Sequence, residues 1–595
     1  MVLLWKGWIM AKWLVSAKRA DFSGIGARFG IDQVTARIIR NRDVIGDEAI
    51  NLYLNGSLSD LSDPALLKDG QKLVDILCRK IDAGAKIRII GDYDIDGVMS
   101  TYILMVALHR AGANVDYMIP DRIKDGYGLN VHLIDKAHAD EVDTIITCDN
   151  GIAAIDEIAR AKDYGMTVLV TDHHAVPFTE ENGHKKYIYS VADAIVNPHQ
   201  AECQYPYKEL CGAAVAWKTV ILLYRKCGID EAEAYELLEN VAFATVGDVM
   251  PLTGENRILV KEGLKKIHHT TNIGMKALIE SCNIEPENVE AYHFGFVLGP
   301  CVNATGRLDT AKRALELFLC TDESSAMTIA GELVALNDER KDLTARGVDM
   351  AVDIYENGGY ENDSVIVIFL DGIHESIAGI IAGRIREKYN KPTFILTRSE
   401  DTIKGSGRSI EEYSMYDEMC KCKELFTKFG GHPMAAGLSL PEENVETFRV
   451  KINEYATLTE EQLIPKIHID VPMPVDYASM GLVEELSVLA PFGKDNPRPV
   501  FADRKLRISR MWVVGKNNNV LRLSMLSSHG TPISAIYFGD IEGFFEYIRQ
   551  QFGADALENA LRGRFNNIEL SIVYSPKINR FRENESLQFE IQQYK

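Results

Sequence analysis

Ile87-Arg-Ile-Ile-Gly-Asp92-Tyr93-Asp94-Ile95-Asp96-Gly97-Val98 is the stretch from which the rest of the chain can be read. The apolar run Ile87–Ile90 predicts a buried strand, and from Val98 to Ala111 the apolar residues recur at helical spacing. Three acids therefore occupy a strand-to-helix turn. Where the backbone is still extended, alternate side chains share a side, which predicts Asp92, Asp94 and Asp96 facing one way. Carboxylates about 4 Å apart repel by roughly 1 kcal/mol per pair in water and about 4 kcal/mol near a protein surface. Such a cluster calls for a cation or a shared proton, and a divalent metal is the natural partner. The same string opens a calcium-binding EF-hand loop, but that loop needs a preceding helix and a bidentate Glu at its twelfth position; here a strand precedes and Ile103 stands in that place.

Outward from this turn the rhythm is strand, helix, strand. Candidate strands at 87–90, 115–119, 144–148, 166–170 and 194–196 alternate with helical patterns at 98–111 and 152–164, the signature of a doubly wound parallel sheet. Such sheets bind ligands outside the carboxyl ends of their strands. The first four strands end in Asp92–Asp96, Pro120-Asp121-Arg122, Asp149-Asn150-Gly151 and Asp172-His173-His174, so each delivers polar groups to one edge. A further acid, Asp248, follows an apolar run and can close the set.

At 595 residues the chain exceeds one core, and its length suggests about three or four domains. The hydrophobic share of 46% and charged share of 25% are those of a globular protein, and no apolar run approaches the roughly 20 residues needed to cross a bilayer. The apolar start is broken by Lys6 and Lys12 and reads as cytoplasmic, with Met10 an equal candidate for the initiator. The ten cysteines form no spaced framework; Cys420 and Cys422 are the one close pair. A net charge of −21 argues against indiscriminate coating of nucleic acid, while leaving room for a local basic groove.

The motifs Asp-Tyr-Asp-Ile-Asp-Gly, Cys148-Asp-Asn-Gly, Thr171-Asp-His-His and Val246-Gly-Asp-Val resemble those of the DHH phosphoesterase superfamily. Gly299-Pro-Cys-Val-Asn303-Ala-Thr-Gly306-Arg307, Lys404-Gly-Ser-Gly-Arg408-Ser409 and Gly430-Gly431-His432-Pro433 are similar to the later motifs of the RecJ family of single-strand-specific 5′→3′ exonucleases, which act in DNA repair and recombination. The resemblance implies that Asp94, Asp96, Asp149, His173 and Asp248 hold two Mn²⁺ or Mg²⁺ ions, with Asp149 bridging, Asp92 assisting and His174 facing the scissile phosphate. Pyrophosphatase relatives carry a His four residues before the position of Asp94; Ile90 stands there, and Asp92 is the substitute on hand. It also implies that Arg122 recognises a 5′-terminal phosphate. Tyr127, Asn303, Arg307, Ser406, Arg408, Gly431 and His432 complete the expected substrate contacts. Each glycine cluster taken by itself reads as a turn.

The domains expected are an N-terminal helical segment at 1–85, a DHH catalytic domain at 86–310, bridging helices at 311–357, a second α/β unit of DHHA1 type at 358–460 and an OB-fold barrel at 461–595. Ser324–Asn357 reads as one long helix whose run Asn337-Asp-Glu-Arg-Lys341 is a solvent face. Strand patterns at 466–473 and 506–537 flank a turn at 515–519, and Arg510, Trp512, Lys516 and Arg522 are candidates for contacting a single strand, Trp512 being an equal candidate for the core. The stretch 540–562 carries no assignment. Single-stranded DNA is the expected substrate of a monomer, and single-strand-binding protein and a helicase are partners the resemblance implies. Two other readings stay open: a DHH phosphodiesterase for short oligonucleotides or cyclic dinucleotides, and a non-catalytic replication scaffold.

Overall fold

A computed structural model describes residues 11–595 apart from 123, 124, 127, 182, 183, 400, 401, 516, 582 and 583. Its first sheet comprises β1 (Lys86–Ile90), β2 (Asn114–Met118), β3 (Thr144–Cys148), β4 (Thr167–Thr171) and β5 (Ala194–Val196), all parallel in the order β2-β1-β3-β4-β5. Ile87, Ile89 and Ile146 belong to one core, while Ile90, Ile145 and Val168 belong to another on the opposite face. Burial on both faces explains why these strands are continuously apolar rather than alternating. The chain leaves β1 to one side for β2 and to the other for β3, so the crevice between their carboxyl ends is the sheet's switch point.

α1 (Ile95–Arg110) follows β1, and α2 (Val131–Ala139) and α3 (Ile155–Asp163) cover the other face. α4 (Gly212–Cys227) is buried all round from Gly212 to Tyr224, as a helix apolar on every side must be. α5 (Leu238–Gly247), α6 (Gly254–Ile267) and α7 (Gly299–Leu308) extend the same core, and α8 (Glu323–Asn357) leads to the second α/β unit. The expected solvent face on α8 holds for Asp338, Glu339 and Lys341, but Asn337 is buried, its amide nitrogen donating to Cys301 Sγ at 3.4 Å.

The second unit holds β6 (Ile366–Phe369), α9 (Glu375–Tyr389), β7 (Thr393–Ser399), β8 (Thr402–Arg408), β9 (Lys428–His432) and β10 (Ala435–Leu440), in sheet order β9-β10-β8-β7-β6. The glycine clusters read as turns are strands here: Gly405 and Gly407 lie in β8, Gly430 and Gly431 in β9. Crowding accounts for three of them, since a Cβ on Gly405 would meet Leu396 at 2.4 Å, one on Gly407 would meet Met415 Sδ at 2.3 Å and one on Gly431 would meet Ala435 O at 2.4 Å, whereas the space at Gly430 is open.

The last unit is a barrel of β11 (Phe501–Val514), β12 (Val520–Leu526), β13 (Pro532–Tyr537), β14 (Glu569–Phe581) and β15 (Asn584–Tyr594), in order β11-β12-β13-β15-β14 and closed by pairing of β11 with β14. The unassigned stretch forms two helices, α10 (Ile541–Phe552) and α11 (Ala554–Leu561), whose Phe544, Ile548 and Leu557 join the barrel core. The N-terminal region divides. Ile25, Ile38, Ile39 and Tyr53 from its first helices pack into that same barrel core, whereas Leu73, Val74 and Leu77 of the helix Gly70–Asp82 pack into the core that holds Ile87 and Ile89 of the parallel sheet. All ten cysteines are free thiols. Among the described residues no helix is long and apolar enough to cross a membrane.

Candidate active site

The acids after β1 do not share one side as an extended turn would place them. Asp94 is the N-cap of α1, its Oδ1 accepting from the N–H groups of Asp96 and Gly97 at 3.0 and 3.1 Å, so Asp96 already lies in the helix. The consequence is a division: Asp92, Asp94 and Asp149 present oxygens within 4.8 Å of one another, while Asp96 groups with His173 and Asp248. Ile90 is buried in the sheet core and offers no ligand atom.

Asp96 is held by both oxygens, which accept the N–H groups of Gly212 and Ala213 at 2.6 and 2.8 Å at the start of α4. A helix N-terminus is the favourable place for such a carboxylate. Gly212 is required because a Cβ there would come within 2.6 Å of Asp149 Cβ. Asp149 itself sits at φ 60°, a left-handed backbone that turns its side chain back toward the crevice, and its N–H donates to Thr171 O at 3.1 Å.

His173 Nε2 lies 3.1 Å from Asp149, 3.6 Å from Asp96 and 3.8 Å from Asp248. Asp248 comes from the C-terminal end of α5. His174 Nδ1 is 2.8 Å from Asp172 Oδ1 and 4.0 Å from Asp149. Asp172 also accepts the N–H groups of His173, His174 and Ile152, so it sets the loop that carries both imidazoles. Burial raises Asp172, but the hydrogen bond from His174 and the imidazole charges outweigh it and hold this carboxyl below its usual range. Burial lowers His174, but the Asp172 bond and surrounding carboxylates push it up to about 9.

The ligand-type acids show the opposite imbalance. Burial, then the neighbouring Asp94, pushes Asp92 up to about 8. Burial and then Asp96 raise Asp94, and the same two causes carry Asp149 and Asp248 well above the ordinary value. An all-carboxylate group beside a group of two carboxylates and an imidazole, with Asp149 facing both, fits a pair of hard divalent ions, the imidazole suiting Mn²⁺ as well as Mg²⁺.

Across the crevice the side chains are cationic. Arg122 lies over the Tyr93 ring at 5.1 Å, Arg307 Nη1 donates to Ser376 O at 2.6 Å, and Arg408 Nη1 donates to Gly407 O at 2.8 Å. Burial, then Arg122, Arg340 and Arg408, pulls Arg307 down to about 10. Arg408 is lowered by burial and then by Arg122 and Arg386. A cavity of about 390 Å³ opens beside them, lined by Arg122, Ser376, Lys404, Ser406, Lys428 and Gly430 among others. Gly431 and His432 stand beyond its walls at the end of β9. Asn303, expected to contact substrate, uses its amide oxygen to accept the Ile95 N–H at 2.9 Å, and a Cβ on Gly306 would lie 2.4 Å from Tyr93 O; this motif packs α7 against the acidic turn. Tyr127 and Lys516 lie outside the described residues.

From Val249 and Met250, beside Asp248, a groove of about 970 Å³ runs between α6 and the barrel. Tyr292 and Phe296 stack on its wall at 5.2 Å, 55% and 72% exposed, and Lys261, Lys265, Lys494, Arg498 and Lys577 supply cations. Trp512 is half-buried on the outer barrel, opposite Arg522 and with Arg510 5.6 Å from its ring. Sequence reasoning missed Gly212, Ala213, Lys428, Ser376 and the orienting role of Asp172; for Asp172 the Asp-His-His string was the available signal.

A parallel sheet with carboxylates and an imidazole gathered at its switch point, facing a second α/β unit, defines a DHH-type phosphoesterase. The profile of the DHH family N-terminal domain matches residues 86–245, that of the DHHA1 domain 362–458 and that of the RecJ OB domain 469–593. The chain belongs to the RecJ family: it is 33% identical over 542 residues to the Escherichia coli single-stranded-DNA-specific exonuclease RecJ, a match covering 88% of this chain and 89% of that protein. It is likewise 33% identical over 499 residues to the Bacillus subtilis protein of that name, covering 83% of this chain and 62% of the relative, whose length the match spans by less than two thirds. The crystal structure of RecJ with Mn²⁺ from Thermus thermophilus has the same fold, with a TM-score of 0.79 at 24% identity over 98% of this chain and 79% of that one.

Proposed function

We propose that the chain is a metal-dependent exonuclease that hydrolyses phosphodiester bonds of single-stranded DNA from the 5′ end and releases 5′-mononucleotides. The observation that carries this reading is His173 Nε2 within 3.1 to 3.8 Å of carboxylates from Asp149, Asp96 and Asp248, which arrive from three separate elements. Asp94, Asp96, Asp149, His173 and Asp248 would hold two ions, with Asp92 beside the first group. When bound, Mn²⁺ or Mg²⁺ supplies a water of lowered pKa and positive charge against the reacting phosphate. Asp172 fixes His174 through the 2.8 Å contact at Nδ1, and the imidazole so held would donate a hydrogen bond to a phosphate oxygen. Arg122, Arg307 and Arg408, with Ser406, would bind the 5′-terminal phosphate. The groove leading off Asp248 is an apolar trough with exposed aromatic rings and a cationic rim, the surface on which unpaired bases stack.

The test is digestion of end-labelled single- and double-stranded DNA and RNA with Mn²⁺, Mg²⁺ or chelator, beside Asp149→Ala. Single-stranded DNA is expected to shorten from its 5′ end only when metal is present. Equal degradation of duplex, or attack from the 3′ end, overturns the substrate assignment. A monomer working in the cytoplasm beside single-strand-binding protein and a helicase belongs to the same proposal, and sedimentation with and without those proteins checks it.

A further inference from the structure

Arg257 is 3% exposed, and among the described residues no carboxylate pairs with it. Each nitrogen of its guanidinium donates to a backbone carbonyl: Nε to Tyr53 O at 2.9 Å, Nη1 to Leu489 O at 2.9 Å and Nη2 to Val488 O at 2.8 Å, with the cation 3.9 Å from the Tyr53 ring centre. Tyr53 in turn donates to Asn496 Oδ1 at 2.8 Å, and Asn496 Nδ2 donates to Leu489 O at 2.9 Å and Pro491 O at 2.6 Å. Arg42 closes the network by donating to Tyr53, Asn496 and Pro497. One buried polar cluster thus joins three stretches remote in sequence: the end of the N-terminal helices, the start of α6 and the segment leading into the barrel.

The position of this cluster relative to the site is informative. α6 starts just after Asp248, and on the way Leu252 N–H donates to Lys494 O at 2.9 Å. One turn beyond Arg257, Lys261 donates to Leu54 O at 3.2 Å, and Lys261, Lys265 and His268 line the groove. The helix that carries the clasp therefore also forms a groove wall. Burying a cation without a counter-ion is costly, and apolar side chains would join these surfaces at least as tightly. What a planar fork of donors adds is register, because it fixes several carbonyls at once.

We propose that Arg257, with Asn496 and Tyr53, is a positioning device that holds the barrel and the N-terminal helices in register with Asp248, so that a strand lying in the groove meets the acid cluster. This rests on the nuclease reading and deepens it: the clasp governs engagement of long strands, not bond cleavage. The experiment compares full-length wild type, Arg257→Gln and Asn496→Ala, with Mn²⁺, on a 5′-phosphorylated dinucleotide and on a strand of about 30 nucleotides. Dinucleotide kcat is expected to stay within about twofold while KM for the long strand rises about tenfold, and Arg257→Lys is expected to recover part of the loss. Equal slowing of both substrates in a variant that melts like wild type overturns the proposal, as does no change in either. Should Arg257→Gln fail to fold, Asn496→Ala and Arg42→Gln, at the rim of the network, carry the same comparison. Should wild type cleave neither substrate, the nuclease reading fails by itself. The clasp is then judged by amide exchange, which must quicken at 488–497 and 249–257 together in Asn496→Ala; unchanged exchange there overturns it.

Discussion

The two walls of the crevice face opposite electrostatic problems. On the sheet edge, carboxylates crowd together in places where burial and mutual repulsion raise them, Asp92 to about 8 and Asp149 and Asp248 well above the ordinary range. Facing them, arginines crowd until burial and the neighbouring guanidiniums pull Arg307 down to about 10. Neither wall neutralises the other: the charges acting most strongly on each group, after burial, are of its own sign. Each wall is complete only when an ion of opposite charge arrives, cations for one and a phosphate for the other. The difference suits the proposed pair of ligands, which also attract each other, as a metal and a nucleotide phosphate do.

The largest break in this comparison comes from Asp149, which faces both acid groups. Asp149→Asn is expected to lower kcat by about a thousandfold or more and to abolish the rise in melting temperature that Mn²⁺ gives. Because the substitution removes a repelled charge, the metal-free variant is expected to melt no lower than wild type. A variant within tenfold of wild type, still stabilised by Mn²⁺, removes Asp149 from the bridging place.

On the opposite wall, Arg307→Gln is expected to lower kcat/KM on 5′-phosphorylated strands by about ten- to a hundredfold, the value of a charge-assisted phosphate contact. The effect on 5′-hydroxyl strands is expected to be smaller, and the ligand-free melting temperature unchanged or raised. Equal losses on the two ends mean that Arg307 supports the fold between α7 and the start of α9 and does not read the terminus.

pH separates the walls. A carboxyl whose folded pKa is raised contributes stability at low pH that is lost as pH rises; for Asp92 the window runs from 3.8 to about 8. The metal-free protein is therefore expected to lose melting temperature across that window, less so in Asp92→Asn, whereas Arg307, charged throughout it, contributes no slope. Protons also compete with metal, so apparent Mn²⁺ affinity is expected to weaken by up to about tenfold per unit as pH falls, for each proton displaced. Calorimetric titration at several pH values measures this, and a flat affinity removes the repelled acids from the metal site.

The same contrast explains how much of the site was legible. The acid wall is written locally: an apolar strand followed by its own polar end, repeated, with the switch-point rule placing those ends on one edge. What holds that wall was not legible, because Asp96 is bound by backbone N–H groups 116 and 117 residues away, which leave no side-chain signature. The arginine wall is assembled from α7, β8 and the loop after β2, and no local pattern announces that they meet. Glycines in β8 misled for a related reason, since turn and crowded strand share a composition and only the partners Leu396 and Met415 distinguish them. Ile38 and Ile39 advertise an apolar helix face, but nothing in their spacing says that a barrel more than four hundred residues later receives it.

The smallest expected effect is the sharpest test of the idea that unsatisfied charge marks the ligand. Lys404 lines the same cavity as Arg122, yet its Nζ already lies 2.9 Å from Glu375 Oε1, and both side chains are partly open to solvent. A cation with a resident partner gains little from a phosphate that must displace or share it, whereas Arg307, bonded to the Ser376 carbonyl, has among the described residues no carboxylate to give up. Lys404→Gln is therefore expected to lower kcat/KM only about threefold, well short of Arg307→Gln, in spite of the equal change in formal charge. Glu375→Gln is expected to act in the reverse direction, freeing Lys404 and tightening 5′-phosphate binding slightly. If the two cation variants lose equally, proximity to the cavity and not the absence of a counter-ion decides which cations bind the strand end, and the likeness drawn between the two walls gives way.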